Sequence, residues 1–367
     1  MNKLIEKISN NTSKKVLIIG PDYRNHKGGI GAVINEHKKL FIHSKFYCSY
    51  KVLSSWKSIL YSLFKIILFP FYLLFNSNIK IIHLHGASRG SFYRKYYYFF
   101  ISKKIFNKKV IYHIHGGEFH LFIKESSKFL IKHINIMIYK SDIIIVLSDW
   151  WVDYFKNQFP DKKITKLYNS VPIQSFINRS SPSKKVSFLF LGLISKNKGC
   201  YEILDVAERL VQRKVDFEIN LGGNGETDKL CKIITEKNLN KYVNYLGWLT
   251  GDKKSEIFKQ NNVYLLPSKN EGLPVSILEA MSYGLPIIST KVGGIPEMIE
   301  ENKSGFIIEP GDLNALEEKM MYFIENKDKI NQMGNISKTI VDNKFSNEIV
   351  QKQLTELYNE LLNSTKK

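Results

Sequence analysis

Residues 263–286 read VYLLPSKNEGLPVSILEAMSYGLP and combine a strand, a turn and a helix within one short stretch. The apolar run that ends at Leu266 predicts a buried strand. Pro274 suits the first turn of a helix, and Gly284 followed by Pro286 predicts where that helix ends. A strand that passes through a turn into a helix is the repeating unit of a parallel sheet, so this stretch favours an α/β fold.

The same alternation of short apolar runs and helical stretches recurs on both sides of this segment. Nearly continuous apolar runs are typical of parallel strands that are covered on both faces. They predict strands at 16–19, 79–84, 110–114, 143–147 and 164–168, and again at 186–191, 217–221, 243–246, 263–266, 286–289 and 306–308. We expect two Rossmann-like, doubly wound domains that face each other across an interdomain cleft, with ligands at the carboxyl ends of the strands.

The polar stretch from Asn178 to Ser183 predicts a linker between these domains. The predicted domains are therefore residues 1–180 and 181–345. Residues 346–367 predict a final helix, with Ser346 as its N-cap and apolar residues at helical spacing, which we expect to pack near the domain junction.

Composition limits the possible classes of protein. The 367 residues are 44% hydrophobic and 24% charged, which excludes a disordered or fibrous chain. Cys48, Cys200 and Cys231 show no Cys-x-x-Cys spacing, so neither a disulfide framework nor a cysteine zinc site is expected. Residues 1–11 lack the pattern of a secretory signal, and Lys65 and Pro70 interrupt the apolar stretch 59–75, which we interpret as non-spanning.

The charge is concentrated in the first half of the chain. Residues 1–180 contain 29 Lys and Arg against 9 Asp and Glu, whereas residues 181–367 contain 25 of each. A compositional bias of the source would affect both halves, so the asymmetry indicates that the first domain meets a polyanionic partner. An anionic membrane surface is the favoured partner, contacted from the cytoplasmic side as a peripheral protein. The basic and aromatic segment 92–100 is a candidate contact surface, and a buried aromatic core is the alternative for several of its residues.

Two glutamates flank the start of the helix predicted after Pro274. Backbone N–H groups at a helix start, on the ligand-binding edge of a sheet, form an anion site that suits a diphosphate. Carboxylates beside such a site, Glu271 and Glu279, need neutral donors, and sugar or ribose hydroxyls are donors of that kind. A solvated loop charge and a solvated helix residue are the alternatives.

These residues, together with Gly272-Leu273-Pro274, Val292-Gly293-Gly294-Ile295-Pro296-Glu297 and Gly305-Phe306, strongly resemble the retaining glycosyltransferases of family 4, also called glycosyl transferases group 1. The resemblance implies the GT-B fold and transfer of a sugar from a nucleotide-diphosphate donor, with retention at the anomeric carbon. In that family the first Glu contacts the donor sugar and the second the ribose, which implies these roles for Glu271 and Glu279. Gly272, Leu273 and Pro274 are the donor-binding residues between them.

The segment 192–199, GLISKNKG, resembles the donor-phosphate motif of the family. Lys198 matches the lysine of that motif, whereas Leu193 stands where the family usually has an Arg. Lys196 is a candidate to replace the missing cation. Residues 222–226 resemble the strand-to-helix turn of the same domain.

Gly28 and Gly29, within Lys27-Gly28-Gly29-Ile30-Gly31, resemble the N-terminal glycine loop of the family. Backbone without a Cβ lets a phosphate or an acceptor approach closely. The dinucleotide fingerprint Gly-x-Gly-x-x-Gly is absent from the sequence, which disfavours an NAD enzyme.

Two strands end in histidine pairs, His83/His85 and His113/His115. Four histidines raise the possibility of a metal site, but the sequence has neither His-Glu-x-x-His nor Asp-x-Asp, so no metal and no cofactor are expected. His115-Gly116 matches the family position that reaches the donor sugar, which makes His115 the catalytic candidate of the first domain. His85, Arg89, Arg94 and Lys95 are acceptor-side candidates, and a solvated helix face is the alternative for the basic ones.

The sequence therefore predicts a retaining glycosyltransferase. We expect a nucleotide-diphosphate-sugar donor and a saccharide acceptor, lipid-linked, in the biosynthesis of a cell-surface polysaccharide such as capsule, O-antigen or exopolysaccharide. One alternative is an epimerase or phosphorylase on the same two-domain scaffold, because a fold alone does not define an activity. The other is a basic nucleic-acid-binding protein, which leaves the neutral second half unexplained, so no nucleic acid is expected.

Overall fold

The computed structural model of the chain describes residues 11–24, 28–175 and 185–364. Two compact units are present: unit 1 comprises Met1–Ser170 and Asn347–Lys367, and unit 2 comprises Val171–Ser346. The observed boundary thus precedes the predicted one at residue 180, and the predicted linker at 178–183 lies outside the described residues. The C-terminal helix, predicted as a segment of its own, belongs to unit 1.

Unit 1 contains a parallel sheet of six strands in the order β2-β1-β3-β4-β5-β6. The strands are β1 Val16–Pro21, β2 Lys45–Tyr50, β3 Ile81–Gly86, β4 Lys109–Ile114, β5 Ile143–Val146 and β6 Ile164–Lys166. Five of them were predicted. The sequence did not indicate β2, which has the polar residues Lys45 and Ser49 among its aromatic ones.

Helices cover both faces of this sheet: α1 Gly29–Leu40, α2 Ser55–Leu74, α3 Gly90–Phe100, α4 Phe119–Glu125, α5 Lys128–Lys140, α6 Asp149–Gln158 and, from the end of the chain, α13 Asn347–Asn363. Successive residues of β1 point to opposite faces, so Leu17 and Ile19 join one core while Val16 and Ile18 join the other. Burial on both faces explains the continuous apolar runs of the strands.

Unit 2 repeats the architecture with the order β12-β11-β10-β7-β8-β9. Its strands are β7 Val186–Leu191, β8 Phe217–Gly222, β9 Val243–Gly247, β10 Val263–Leu266, β11 Ile287–Thr290 and β12 Gly305–Ile308, and all six were predicted. Its helices are α7 Cys200–Gln212, α8 Thr227–Glu236, α9 Gly251–Gln260, α10 Val275–Ser282, α11 Leu313–Glu325 and α12 Lys327–Ile340. The predicted fold class, α/β with two doubly wound sheets, is confirmed.

Each sheet has one point where the chain reverses the direction in which it adds strands. In unit 1 this point lies between β1 and β3, and in unit 2 it lies between β7 and β10. Loops that leave neighbouring strands in opposite directions open a crevice at the carboxyl edge of the sheet, which is where doubly wound folds bind ligands. The loops after β7 and β10 carry Lys198 and Glu271, so the fold brings the strongest sequence motifs to this point.

Candidate functional site

The loops after β7 and β10 are in direct contact. A short 3₁₀ turn, Lys196–Lys198, ends at Gly199, whose φ of +75° is in the left-handed region. A Cβ on Gly199 would lie 2.1 Å from the carbonyl oxygen of Pro267, so only glycine fits here. The backbone N–H of Lys269 donates to the carbonyl oxygen of Asn197 at 2.8 Å. This contact fixes the position of Lys198 relative to the second loop.

Lys198 and Glu271 form an ion pair at this contact. The Nζ of Lys198 lies 2.6 Å from Oε1 of Glu271, and the hydroxyl of Ser268 donates to the same oxygen at 2.8 Å. Glu271 is 7% exposed. A buried carboxylate is tolerated only when it is paired and hydrogen-bonded, and these two donors meet that requirement. The structure thus brings together two residues that the sequence placed in one site.

Gly293 and Gly294, which follow β11, contact the backbone of the loop that carries Glu271. The backbone N–H of Gly294 donates to the carbonyl oxygen of Gly272 at 2.7 Å. Gly293 has a φ of +55°, and a Cβ on it would lie 2.1 Å from the carbonyl oxygen of Glu271. Leu273 and Pro274 are buried and lead directly into α10. The predicted donor-binding residues from 271 to 274 are therefore held between two tightly packed turns.

Glu279 lies in α10 and has a lysine partner of its own. The Nζ of Lys254, on α9, lies 2.7 Å and 2.6 Å from the two carboxylate oxygens of Glu279. Both side chains are about one quarter exposed, at 29% for Lys254 and 25% for Glu279. Sequence reasoning missed Lys254, because no motif links it to Glu279 and only the packing of α9 beside α10 brings the two together.

The loops after β7 and β8 are also joined. The backbone N–H of Ile194 donates to the carbonyl oxygen of Asn224 at 2.7 Å, and a Cβ on Gly223 would lie 1.8 Å from the carbonyl oxygen of Gly192. The glycines of residues 222–226 therefore permit close approach of the backbone. Leu193 is 47% exposed at the start of this loop, and Lys196 is exposed farther along it.

In unit 1, five histidines lie side by side. His83, His85 and His113 are fully buried on neighbouring strands, with His85 opposite His113 in the sheet register. His115 follows β4, and its Nε2 lies 2.9 Å from Nδ1 of His85. His37, from α1, is the fifth member, with its ring centroid 5.2 Å from that of His85. Sequence reasoning did not include His37, because this residue lies in α1, far from both histidine pairs along the chain.

These imidazoles are neutral at physiological pH. Burial lowers the pKa of His37 to about 4, and burial together with His37 lowers the pKa of His115 to about 3. Burial and the neighbouring imidazoles hold the pKa values of His83, His85 and His113 well below the usual 6.5. His115 is therefore suited to hydrogen bonding with a neutral hydroxyl, and its catalytic role stays a prediction.

The structure describes one histidine group whose ring nitrogens could converge on a metal. Within the described residues, ligand atoms of His83, His85 and His113 lie within 4.8 Å of one another. Both nitrogens of His83 already have partners, the hydroxyl of Tyr358 at 2.7 Å and Nδ1 of His113 at 3.3 Å. The expectation that no metal is bound stays a prediction.

The acceptor-side candidates of unit 1 differ in how far their side chains are exposed. Arg89 is exposed and pairs with Glu118 at 3.3 Å and Glu125 at 3.2 Å. Arg94 is half-buried, with its guanidinium 4.5 Å from the ring centroid of Tyr50.

Lys95 and His85 require a correction. Lys95 is 1% exposed and its Nζ donates to Ser49 at 2.8 Å, and burial together with Arg94 lowers its pKa to about 7. His85 is fully buried. Neither side chain can contact an acceptor directly from such a position. His85 can act only through His115.

Gly28 and Gly29 are exposed at the start of α1. A Cβ built on either glycine has no atom of the described residues within 4 Å, so that part of the chain leaves the space beside this backbone open. Lys27, the first residue of the predicted loop, lies outside the described residues. The open backbone is compatible with the predicted approach of a ligand.

Residues 174–339, nearly all of unit 2, match the family described as Glycosyl transferases group 1. Unit 2 carries a glycosyl transferases group 1 domain. The loops after β7, β10 and β11, which hold Lys198, Glu271 and Gly293, all lie within this domain.

Two relatives and one solved structure illustrate the similarity. A putative colanic acid biosynthesis glycosyltransferase from Escherichia coli is 24% identical over 229 residues, which are 59% of this chain and 56% of that protein. The chain thus matches about half the length of that relative. An uncharacterized protein from the cps region of Klebsiella pneumoniae is 29% identical over 324 residues, covering 80% of this chain and 86% of that protein.

Among solved structures, HepE from Anabaena in complex with UDP-glucose superimposes with a TM-score of 0.73 at 17% identity, over 94% of this chain and 99% of that one. This likeness shows that the chain has the GT-B fold.

Proposed function

We propose that the protein is a retaining glycosyltransferase that moves a sugar from a nucleotide-diphosphate donor to a saccharide acceptor. The acceptor is lipid-linked, and the product is a cell-surface polysaccharide such as capsule, O-antigen or exopolysaccharide. The paired Lys198 and Glu271 carry this proposal, because they lie at the reversal point of the unit 2 sheet within the group 1 domain.

The ion pair between Lys198 and Glu271 suggests how the protein binds a nucleotide-sugar donor. The side chain of Lys198 is 25% exposed, so an incoming diphosphate can compete with Glu271 for its ammonium group. Glu271 keeps its bond from Ser268 and gains acceptor capacity for a sugar hydroxyl. The exchange replaces one charged hydrogen bond of Lys198, worth roughly 1.5–3 kcal/mol, with another of the same kind, and the bond from the sugar hydroxyl to Glu271 is added to it.

Charge that develops on the leaving diphosphate needs stabilisation during transfer. Lys198 and the backbone amides at the start of α10 supply positive charge there, so we propose that the reaction needs no metal ion and no separate cofactor. Glu279 would accept from the ribose hydroxyls, with Lys254 holding its carboxylate in place.

The named relatives suggest where to look first for substrates. The Escherichia coli relative is named for colanic acid biosynthesis, and the HepE structure contains UDP-glucose. Uridine diphosphate sugars are therefore the first donors to test. The excess of positive charge in residues 1–180 supports a peripheral position on the inner face of the plasma membrane, where lipid-linked acceptors are available.

Thermal denaturation with a panel of nucleotide sugars tests the proposal. A donor that binds only the folded protein raises the melting temperature. Lys198→Ala and Glu271→Gln should reduce that shift. Lys232→Ala, which removes a lysine that is 74% exposed on α8, should leave it unchanged. Equal shifts in all variants contradict the proposed donor site. An acceptor-dependent product then separates a transferase from an epimerase or a phosphorylase.

A further inference from the structure

Helix α2, Ser55–Leu74, is attached to unit 1 through one of its faces. Ser62, Phe69 and Leu73 are buried on this inner face, and Phe69 and Leu73 belong to the core of the unit. The hydroxyl of Tyr47, on β2, donates to the backbone carbonyl of Lys65 at 2.6 Å. The helix is therefore a packed part of unit 1.

The opposite face of α2 is apolar and exposed. Trp56, Ile59, Leu63, Phe64, Ile67 and Phe71 recur at helical spacing, and each is between 50% and 64% exposed. We call these six residues the outer stripe. The sequence 56–74 is also long and apolar enough to span a bilayer, by length and composition alone.

The outer stripe is comparable in area with the largest apolar patches of soluble proteins, which are often functional. Three of its members are aromatic, and side chains of this size that are more than half exposed present together roughly 300 Å² of surface. The aliphatic members add to this area and bring the stripe towards the upper end of the range for the largest patch of a monomer, roughly 300–600 Å². A surface of this kind indicates an apolar partner.

The charge around the stripe identifies the partner. The sequence has no Asp or Glu between His37 and Gly117, but it has fourteen Lys and Arg there. Lys57 lies 5.5 Å from the ring centroid of Trp56, and Lys51 lies 5.4 Å from that of Tyr61. An apolar face bordered by lysines and aromatic rings suits acyl chains below anionic headgroups. A second copy of this chain would bring the same positive charges and repel the first.

We propose that the outer stripe inserts into the interface of an anionic bilayer, with α2 lying in the plane of the membrane. The inner face of α2 keeps its contacts with unit 1, so the helix does not cross the bilayer. The stripe replaces the segment 92–100 as the membrane contact, because Phe92, Tyr98 and Phe99 of that segment are buried. This inference makes the membrane position proposed above specific, and it requires no sugar transfer.

Vesicle flotation of the full chain tests the inference. Phosphatidylcholine vesicles with and without phosphatidylglycerol are the probes. Phe64→Gln removes a ring that is 58% exposed in the stripe, and Phe129→Gln makes the same change at a ring that is 75% exposed on α5. We expect Phe64→Gln to weaken partitioning at least fivefold and Ile59→Gln/Phe64→Gln/Ile67→Gln at least hundredfold. Phe129→Gln should stay within twofold of the wild type.

Each result has a defined meaning. Binding that requires phosphatidylglycerol, weakens with salt and is released by alkaline carbonate supports an in-plane helix. Undiminished binding of the triple variant, equal binding to neutral vesicles, or resistance to carbonate overturns the inference. Dimers without vesicle binding, abolished in the triple variant, would assign the stripe to a second copy and also overturn it. Melting curves with nucleotide sugars on the same samples check folding and report separately on the proposed function.

Discussion

His37 lies among four other imidazoles, and neither of its ring nitrogens has a hydrogen-bond partner among the described residues. Its pKa in the folded chain is about 4, whereas an unfolded histidine titrates near 6.5. Between pH 6.5 and pH 4, His37 therefore binds a proton in the unfolded chain but stays neutral in the folded chain. The contribution of this residue to the free energy of unfolding is complete above pH 6.5. It is lost as the pH falls towards 4, by up to roughly 3 kcal/mol.

His37→Leu should flatten this pH dependence, because leucine has no proton to gain on unfolding. We expect the variant to lose less unfolding free energy between pH 7 and pH 4 than the wild type, by about 3 kcal/mol at most. Urea titrations at several pH values measure the difference. His43→Leu, at an exposed histidine, should retain the slope of the wild type. Identical slopes in all three proteins would show that His37 does not contribute.

Leu193 offers a gain-of-function test of the donor site. It is 47% exposed in the loop after β7, at the position where the resemblance places an arginine. Leu193→Arg should add a charged contact to the diphosphate and tighten binding of UDP about tenfold, since 1.4 kcal/mol corresponds to a factor of ten. Calorimetry measures the affinity. Leu193→Gln adds length without charge, and equal affinities for the two variants would argue against a phosphate near this position.

At the scale of single residues, the sequence predicted the positions that belong to one local motif. Glu271, Gly272 and Lys198 were found because their spacing along the chain is itself the signal. Lys254 was missed because its contact with Glu279 depends on how two helices pack. Lys95 was expected at the surface, but its helix turns that side chain inward, towards Ser49.

Among the structural elements, the turn at Gly293 packs against the loop that carries Glu271, and Gly251 offers a matched control for a substitution there. Gly293 and Gly251 both have a φ of +55°. A Cβ on Gly293 would lie 2.1 Å from the carbonyl oxygen of Glu271, whereas one on Gly251 would have no atom within 4 Å. Alanine strains the backbone at both positions, but only Gly293→Ala must also displace the backbone of Glu271.

We therefore expect Gly293→Ala to weaken nucleotide-sugar binding at least tenfold. Gly251→Ala should lower the free energy of unfolding by about 1–2 kcal/mol, because a Cβ is strained at a positive φ, and should leave the affinity unchanged. Thermal melts with and without donor separate the two effects. A normal affinity in Gly293→Ala would show that this turn does not position Glu271.

The sequence missed strand β2 and did not define the extent of helix α2. Strand β2, with burial that alternates along Lys45–Tyr50, lies at the edge of its sheet and lacks a continuous apolar run. Lys65 and Pro70 interrupt the apolar stretch 59–75 in the sequence, but helix α2 continues through both residues. Packing against the core of unit 1 outweighs the local cost of those residues.

At the scale of the whole molecule, helix α13 makes its contacts with residues that lie far away along the chain. Val350, Leu354, Tyr358 and Leu361 of α13 pack on the same core as β1 and β3. Leu354 is fully buried. The sequence predicted the helix from its spacing but not its place on the core of unit 1, because its contacts there lie several hundred residues earlier in the chain.

Leu354→Ala should lower the unfolding free energy of unit 1 by about 2–5 kcal/mol, the usual range for such a cavity. Hydrogen exchange resolved by peptide should show faster exchange in β1 and β3 and no change in β7 and β10. The neighbouring Gln353→Ala, at an exposed position, is the matched control and should leave both units unchanged. Faster exchange throughout the chain would show that the two units unfold together.

The division of unit 1 into two segments affects how the chain is made. Unit 2 is complete once Ser346 has left the ribosome, whereas unit 1 must wait for the helix that follows. Until then, one face of the first sheet to be synthesised is covered only in part, by α1, whereas every element of the second sheet has been made. The later half of the chain thus has all of its residues before the earlier half does.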